Sequence, residues 1–545
     1  MTSSYNIIVG TDTADAFIVG STSGNDSLVA LGGNDTVTGS GGNDVIDLGG
    51  GNDLVTTAGN YSGGTVLGGT GNDTFVTSNG VSTTLVDLGS DNDSLILTST
   101  GTFSYATLSG GLSTDTIILN SASTLLNSNV YGAEAAGGST DGSDSISVGT
   151  VTGSLLQGNA GADTLNVAGP TQSSTLRGGK DGDYLSVVGS VTGSYVAGDL
   201  GSDTILITGN VQTGSSIYGG SLEDTSADSA DSIRITGNVT SGFIQGNAGT
   251  DTISVSGNVS SNTSIRGGGD GDLISIVGAT DASYLSGDLG TDTLVLTGAV
   301  TNSSIFGGSL TDTTADSADS ILFGSNITNV FVQGNAGSDS IYVTGAAAQS
   351  TVWGGADADS IHLQGGGTQI AVAGQAGNDT LSLKGSFTQA TVEGGTGVSS
   401  IIIGTANTNI FTQSSVYGGS DGDTLNITSG ANVNSAFVAG AGNDSIVITA
   451  IGGGTVLGGA SLSDTAAGND TIAITAATGG VIDAGSGSNF ITGAGAISAA
   501  SVYSGSGNDT FNFGAGSLGN GTSAARIASG AGDDSLYFGG NVSTT

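Results

Sequence analysis

Of 47 acidic residues only Glu134, Glu223 and Glu393 are glutamate; the other 44 are aspartate, set beside glycine at regular intervals. A random polyanion would use both acids. Asp26, Asp35, Asp44 and Asp53 fall nine residues apart in the run GNDSL, GGNDTV, GGNDVI, GGNDLV. The beat then lengthens, mostly to 19–22 residues, through Asp73, Asp93, Asp115, Asp144, Asp163, Asp183, Asp203, Asp231, Asp251, Asp272, Asp292, Asp319, Asp339, Asp359, Asp379, Asp423, Asp444, Asp470, Asp509 and Asp534. Ser399 and Asn489 stand where two further acids belong. A short carboxylate held by a tight glycine turn is a hard oxygen ligand. If the turns stack, neighbouring carboxylates lie about 5 Å apart and repel by about 1 kcal/mol or more per pair. Six Lys and Arg cannot offset a net charge of −41. Divalent cations between successive turns would, and flexible oxygen donors favour calcium over magnesium or zinc. The candidate metal ligands are the aspartates of this beat apart from Asp115 and Asp144, and the expected cofactor is multiple Ca2+.

The composition excludes much else. With no Cys there is no disulfide scaffold, thiol nucleophile or Cys-based metal site. One histidine, His362, leaves no multi-His site. The acidic balance argues against nucleic-acid and anionic-membrane surfaces. No apolar run approaches the 18 or more residues of a membrane span, and MTSSYNIIVG lacks the basic and apolar regions of a signal peptide. Hydrophobic residues at 36% and a mean hydropathy of +0.16 are too apolar for a solvated tail.

The elements that position the aspartates repeat with them. From Asp163 one unit reads DTLNVAG, PTQSS, TLRGGKDG. Leu165 and Val167 alternate with polar residues, as in a strand with one buried face. Thr175–Arg177 reads as a second strand, with Gly178-Gly179 opening the turn. Two strands and two turns in about 20 residues make one coil of an all-β, single long parallel β-solenoid. Its interior should be a thin column of Ile, Val, Leu and Ala with few aromatics. Helix is disfavoured by 101 glycines and the lack of a 3.6-residue stripe. Above the coil sits a period of 88 residues: YGGSLEDTSADSADSI (218–233) recurs as FGGSLTDTTADSADSI (306–321). The organisation expected is a nine-residue-repeat segment, 1–55, followed by a continuous solenoid, 56–545, whose four-coil super-repeat is clearest at 144–395.

GSGGNDVIDLGGGNDLV (39–55) resembles the RTX, or haemolysin-type, calcium-binding nonapeptide GGxGxDxUx. The resemblance implies a β-roll in which Asp35, Asp44 and Asp53 ligate calcium directly and the carbonyls of Gly32, Gly33, Gly41 and Gly42 complete the shell. Beyond residue 55 only one turn of each coil keeps the motif, so one calcium-bearing edge is expected there. The competing reading of these acids is an Asx-turn hydrogen bond. It weighs most for the insert acids Asp224, Asp228, Asp312 and Asp316. His362 reads as a surface strand residue and Trp353 as a packed turn aromatic. Arg177, Lys180, Arg234 and Arg266 should satisfy nearby carboxylates.

The repeats leave no room for an effector domain, so the expected role is structural rather than enzymatic, similar to oscillin-like and surface-layer proteins. The chain should fold on calcium and assemble with itself, head to tail or laterally, into an extracellular filament, fibril or surface layer, with cell-surface polysaccharide as a further partner and no membrane insertion. Type I secretion without a cleaved signal peptide is the implied route. The alternative is an adhesin stalk or binding fibre for carbohydrate or a host surface. Its aromatic ladder is not visible among 27 scattered aromatics.

Overall fold

The computed structural model describes residues 5–19, 24–39, 42–59, 61–133, 141–221, 228–309, 316–404, 410–428, 430–462, 468–514, 517–519 and 524–540. They form two compact units, Met1–Val277 and Gly278–Thr545. Both are all-β parallel solenoids; among the described residues there is no helix, and so none long and apolar enough to cross a membrane.

In the first unit the nine-residue beat builds coils of 18 residues with two strands each. Asp26–Val29 and Thr36–Gly39 make one coil, Val45–Gly50 and Leu54–Thr57 the next. Ser27 pairs with Val45 and Thr36 with Leu54, both in parallel. From Tyr61–Ser62 onward a third, short strand enters most coils. The unit beginning at Thr164 shows it: Thr164–Val167, Thr171–Gln172, Thr175–Lys180. The PTQSS segment, expected as a turn, thus contains a two-residue strand paired with Val191–Thr192 of the next coil.

Alternation decides what faces inward. Leu165 pairs with Leu185 and Val167 with Val187, one coil apart, and all four are buried. Leu176 and Val196 continue a second column and Val191, Val211, Val239 and Val259 a third. Each such side chain contributes about 1.5–3 kcal/mol of apolar burial. Gly179 takes φ +130°, which lets the chain leave the long strand toward Asp183.

The second unit repeats the plan, but its interior is less purely aliphatic than expected. Phe387, Phe411 and Phe437 are fully buried in contact, ring centroids 6.5 and 5.9 Å apart. Gly367 lies opposite Phe387 in the adjacent coil and gives up the volume that the ring takes.

Coils of 26–29 residues accommodate the insertions without disturbing the stack. Asp203 and Asp231 are 28 residues apart, yet Thr204–Ile207 pairs in register with Ser232–Ile235. The expected insert acids Asp224 and Asp312, like Gly41, lie outside the described residues.

Candidate metal-binding ladder

Each long strand ends in the glycine turn, and each turn delivers its aspartate inward at the start of the next short strand. The result is a vertical row. The main-chain N–H of one aspartate donates to Oδ1 of the aspartate one coil on: Asp163 to Asp183 at 2.7 Å, Asp183 to Asp203 at 2.6 Å, Asp203 to Asp231 at 2.7 Å. In the first unit the row runs from Asp15 through Asp35, Asp53, Asp73, Asp93, Asp115, Asp144 and Asp163 to Asp272. In the second, Asp292, Asp319, Asp339, Asp359 and Asp379 form one stretch. Ser399, Asp423, Asp444, Asp470, Asn489, Asp509 and Asp534 form another.

Oδ1 thus serves the main chain. Oδ2 does not: in Asp35, Asp53, Asp73, Asp163, Asp183, Asp203, Asp339 and Asp444, among others, it is buried and makes no hydrogen bond. Asp183 is only 3% exposed. An unpaired carboxylate oxygen in such a place carries a large desolvation cost. The glycine at the head of the turn explains the fit. A Cβ on Gly178 would collide both with Oδ2 of Asp183 and with the carbonyl of Gly198 in the next coil, so Oδ2 and that carbonyl converge on one point. Two oxygens meet there with no protein donor between them.

Burial pushes these carboxyls well above their ordinary 3.8: Asp163 to about 7, Asp183 to about 9, Asp231 to about 9 and Asp319 to about 9. The N–H of the preceding aspartate lowers each, and neighbouring carboxylates raise Asp183 and Asp231 further. A hard cation would supply what the protein does not. Among the described residues no point gathers three or more acidic, His or Cys side chains. The shell offered is therefore one carboxylate oxygen with main-chain carbonyls, all hard oxygens, which suits calcium.

The structure sorts the expected ligands. Asp26 and Asp44 do not join the main row; Asp26 donates to Asp44 along the opposite edge. That edge closes at Tyr61, whose buried hydroxyl donates to the Asp44 carbonyl at 3.2 Å. Two acid edges therefore exist through the nine-residue repeats and one beyond them. The row also takes in Asp15, Asp115 and Asp144. The last two lie on the sequence beat, whereas Asp15 sits in GTDTADA, which lacks the paired glycines; its Oδ2 accepts the N–H and hydroxyl of Thr11, each at 2.8 Å.

A further set of acids occupies the turn itself. Asp181, Asp91 and Asp421 accept the N–H of Gly161, Gly71 and Gly397, each in a coil already laid down, at 3.3, 3.0 and 2.8 Å. Asp199 is held by a bidentate Arg177, 2.7 and 2.8 Å, as expected of that arginine. Asp228 and Asp316 fold over Gly220 and Gly308, where a Cβ would overlap them. His362 lies on Ser360–Leu363, sharing a 2.9 Å hydrogen bond with Ser360.

The aromatic residues need a correction. Seven of them form rows on the outward side of the long strands: Tyr195, Tyr218 and Phe243 in the first unit, with centroids 5.3 and 5.5 Å apart. In the second, Tyr284, Phe306, Phe331 and Trp353 follow at 5.3, 5.6 and 5.1 Å. Trp353 is a strand residue, not a turn residue.

Two segments of the chain, residues 21–55 and 501–517, match the family model for the RTX calcium-binding nonapeptide repeat, in four copies. The second segment contains Asp509. The chain therefore carries calcium-binding repeats of this family, and Ca2+ is their metal. No curated protein matches it. Among solved structures it is similar to a hyperactive, Ca2+-dependent, β-helical antifreeze protein from an Antarctic bacterium, at 22% identity and TM-score 0.35, over 52% of this chain and 84% of that one.

Proposed function

We propose that this is a secreted structural protein that folds on calcium and assembles with itself into a filament, fibril or surface layer, without catalytic activity. The observation that carries the calcium step is the buried Oδ2 row, repeated coil after coil with no protein donor. At the micromolar calcium of a cell interior the row would be a stack of uncompensated charge, and at millimolar calcium outside it would be filled. RTX repeats are typical of proteins exported by type I secretion, and folding after export fits that route. Assembly draws support from large apolar side chains left exposed within each unit, among them Tyr105 and Val188 in the first and Val398 and Val447 in the second. Negative-stain microscopy of the purified chain in millimolar calcium and after chelation tests this. Filaments or sheets that appear only with calcium support the reading; discrete particles that never associate sink the assembly step.

The aromatic rows favour a second reading, recognition of a polysaccharide. Sugars stack their apolar faces on aromatic rings and hydrogen-bond with amides and carboxylates. The strand Thr351–Ala356 that carries Trp353 borders a cleft lined by Gln333, Asn335, Asp357 and Gln375. Trp353 is the chain's one tryptophan. Its fluorescence should change on titration with the recognised polysaccharide, and Trp353→Ala should abolish retention. An unchanged emission across neutral and acidic polysaccharides would discard this reading.

A further inference from the structure

Asn489 occupies the ladder position of an aspartate. It is 2% exposed, its Oδ1 accepts the N–H of Asp470 at 2.9 Å, and its own N–H donates to Asp509 at 2.8 Å. Those two bonds are the ones an aspartate inside each stretch of the row makes, and they fix the amide's orientation: Nδ2 must stand where the others place Oδ2. There it donates to three main-chain carbonyls, Gly485 at 3.2 Å, Gly487 at 3.3 Å and Ser504 at 3.2 Å. Gly485 and Gly487 lie four and two residues before Asn489; Ser504 lies in the next coil, five residues before Asp509.

In an aspartate coil the same three carbonyls would confront an oxygen instead of a donor. For Asp339 the corresponding residues are Asn335, Gly337 and Gly354, and a Cβ on Gly334 would strike both Asp339 Oδ2 and the Gly354 carbonyl. That Oδ2 is buried without a hydrogen bond. One position therefore faces the next coil's main-chain carbonyl in two chemically opposite ways, as a donor in Asn489 and as an oxygen in Asp339.

We propose that Asn489 is a built-in substitute for a calcium ion: its amide NH2 takes the carbonyl cage that a cation takes in the aspartate coils, so the coil from Gly485 to Asn489 is held without metal. The inference rests on the reading of the aspartate row as calcium ligands. The other interruption, Ser399, is different, because its hydroxyl is buried and makes no hydrogen bond, so it reproduces neither the ligand nor the amide. Asn489 thus assigns one calcium-independent rung, between the calcium rungs of Asp470 and Asp509.

Hydrogen exchange on the full-length chain at pH 8, with saturating calcium and with calcium lowered only as far as the β-signal is retained, tests the assignment through Asn489→Asp and its converse Asp339→Asn. At the lowered calcium the wild-type amides of Gly487 to Phe490 should stay protected. In Asn489→Asp they should exchange about tenfold faster or more, and saturating calcium should restore them. Asp339→Asn should do the reverse, gaining protection around Gly337 to Ser340 at the lowered calcium and losing its response to calcium. If Asn489→Asp exchanges like the wild type in both media while Asp339→Asn behaves as stated, the aspartate row stands and the role of Asn489 falls. If neither variant alters the calcium response, the ligand row itself is refuted.

Discussion

Chelation should make the stability of this protein fall as pH rises, the reverse of the usual behaviour of folded carboxylates. Nine aspartates of the first unit, Asp73, Asp93, Asp115, Asp144, Asp163, Asp183, Asp203, Asp231 and Asp251, are pushed from 3.8 to between about 7 and about 9. The cause in each is burial. Holding Asp163 ionised in the fold, with its value raised to about 7, costs about 4 kcal/mol relative to the unfolded chain. A third of that per carboxyl, over nine carboxyls, is on the order of 10 kcal/mol, the whole stability of an ordinary domain. The sign follows from proton counts. Below about pH 4 both states are protonated and there is no cost. Between there and the folded values the folded chain holds more protons, so each carboxyl removes about 1.4 kcal/mol per pH unit as pH rises. Above about pH 9 the loss is complete.

Far-ultraviolet circular dichroism in chelator between pH 5 and 9 reads this directly. The β-signal should be absent or weak at pH 8 and grow toward pH 5. In millimolar calcium it should be full at pH 8, and calcium affinity should decline as pH drops through 9 to 7, because protons compete for Oδ2. A chelated protein with an undiminished β-spectrum and melting temperature at pH 8 would refute the reasoning. The buried carboxylates would then be compensated by something other than a cation.

Single substitutions should separate the two oxygens. Asp183→Asn keeps an acceptor for the Asp163 N–H and removes the charge, so in chelator it should melt above the wild type. Asp183→Ala leaves that buried N–H without its acceptor and in saturating calcium should lose about 1–3 kcal/mol by thermal denaturation. Gly178→Ala places a methyl against Asp183 Oδ2 and the Gly198 carbonyl and should cost about 1–3 kcal/mol, with weakened calcium binding by titration calorimetry. Arg177→Ala strips the partner from Asp199, whose side chain is 7% exposed, but the arginine is itself 40% exposed; screening holds the expected loss to about 1 kcal/mol in urea denaturation.

The coil period and the aspartate column were legible because both are written in spacing. An aspartate every 20 residues, two before a buried Leu or Ile, can only stack if the coil has that length. Other features left no trace of that kind. Thr171–Gln172 is two residues long, too short for alternation to show. The nine-residue beat hides the fact that Asp26 and Asp44 belong to one edge and Asp35 and Asp53 to the other, since an 18-residue coil is needed to see it. The aromatic rows alternate between two outward columns. Tyr195 aligns with Ser216, and Ala197 with Tyr218, so neither column read alone contains consecutive rings. Asp15 was hidden because the first turn replaces its glycines with threonines.

Why aspartate, so consistently, and not glutamate or asparagine? Oδ1 must reach the N–H of a neighbour one coil back while Oδ2 stays on the near side of its own turn glycine. The gap between Gly178 and Asp183 has no room for even one added methyl, so an extra methylene would push the carboxylate out of both contacts. Asparagine meets the geometric demand equally well, as Asn489 shows with five hydrogen bonds. A row of asparagines would therefore build the same stack and hold it in any medium. Choosing a carboxylate at nearly every rung leaves the stack incomplete from the protein's own atoms. On the proposed reading of the row, the residue type at this one position, and not the shape of the coil, makes the fold answer to calcium.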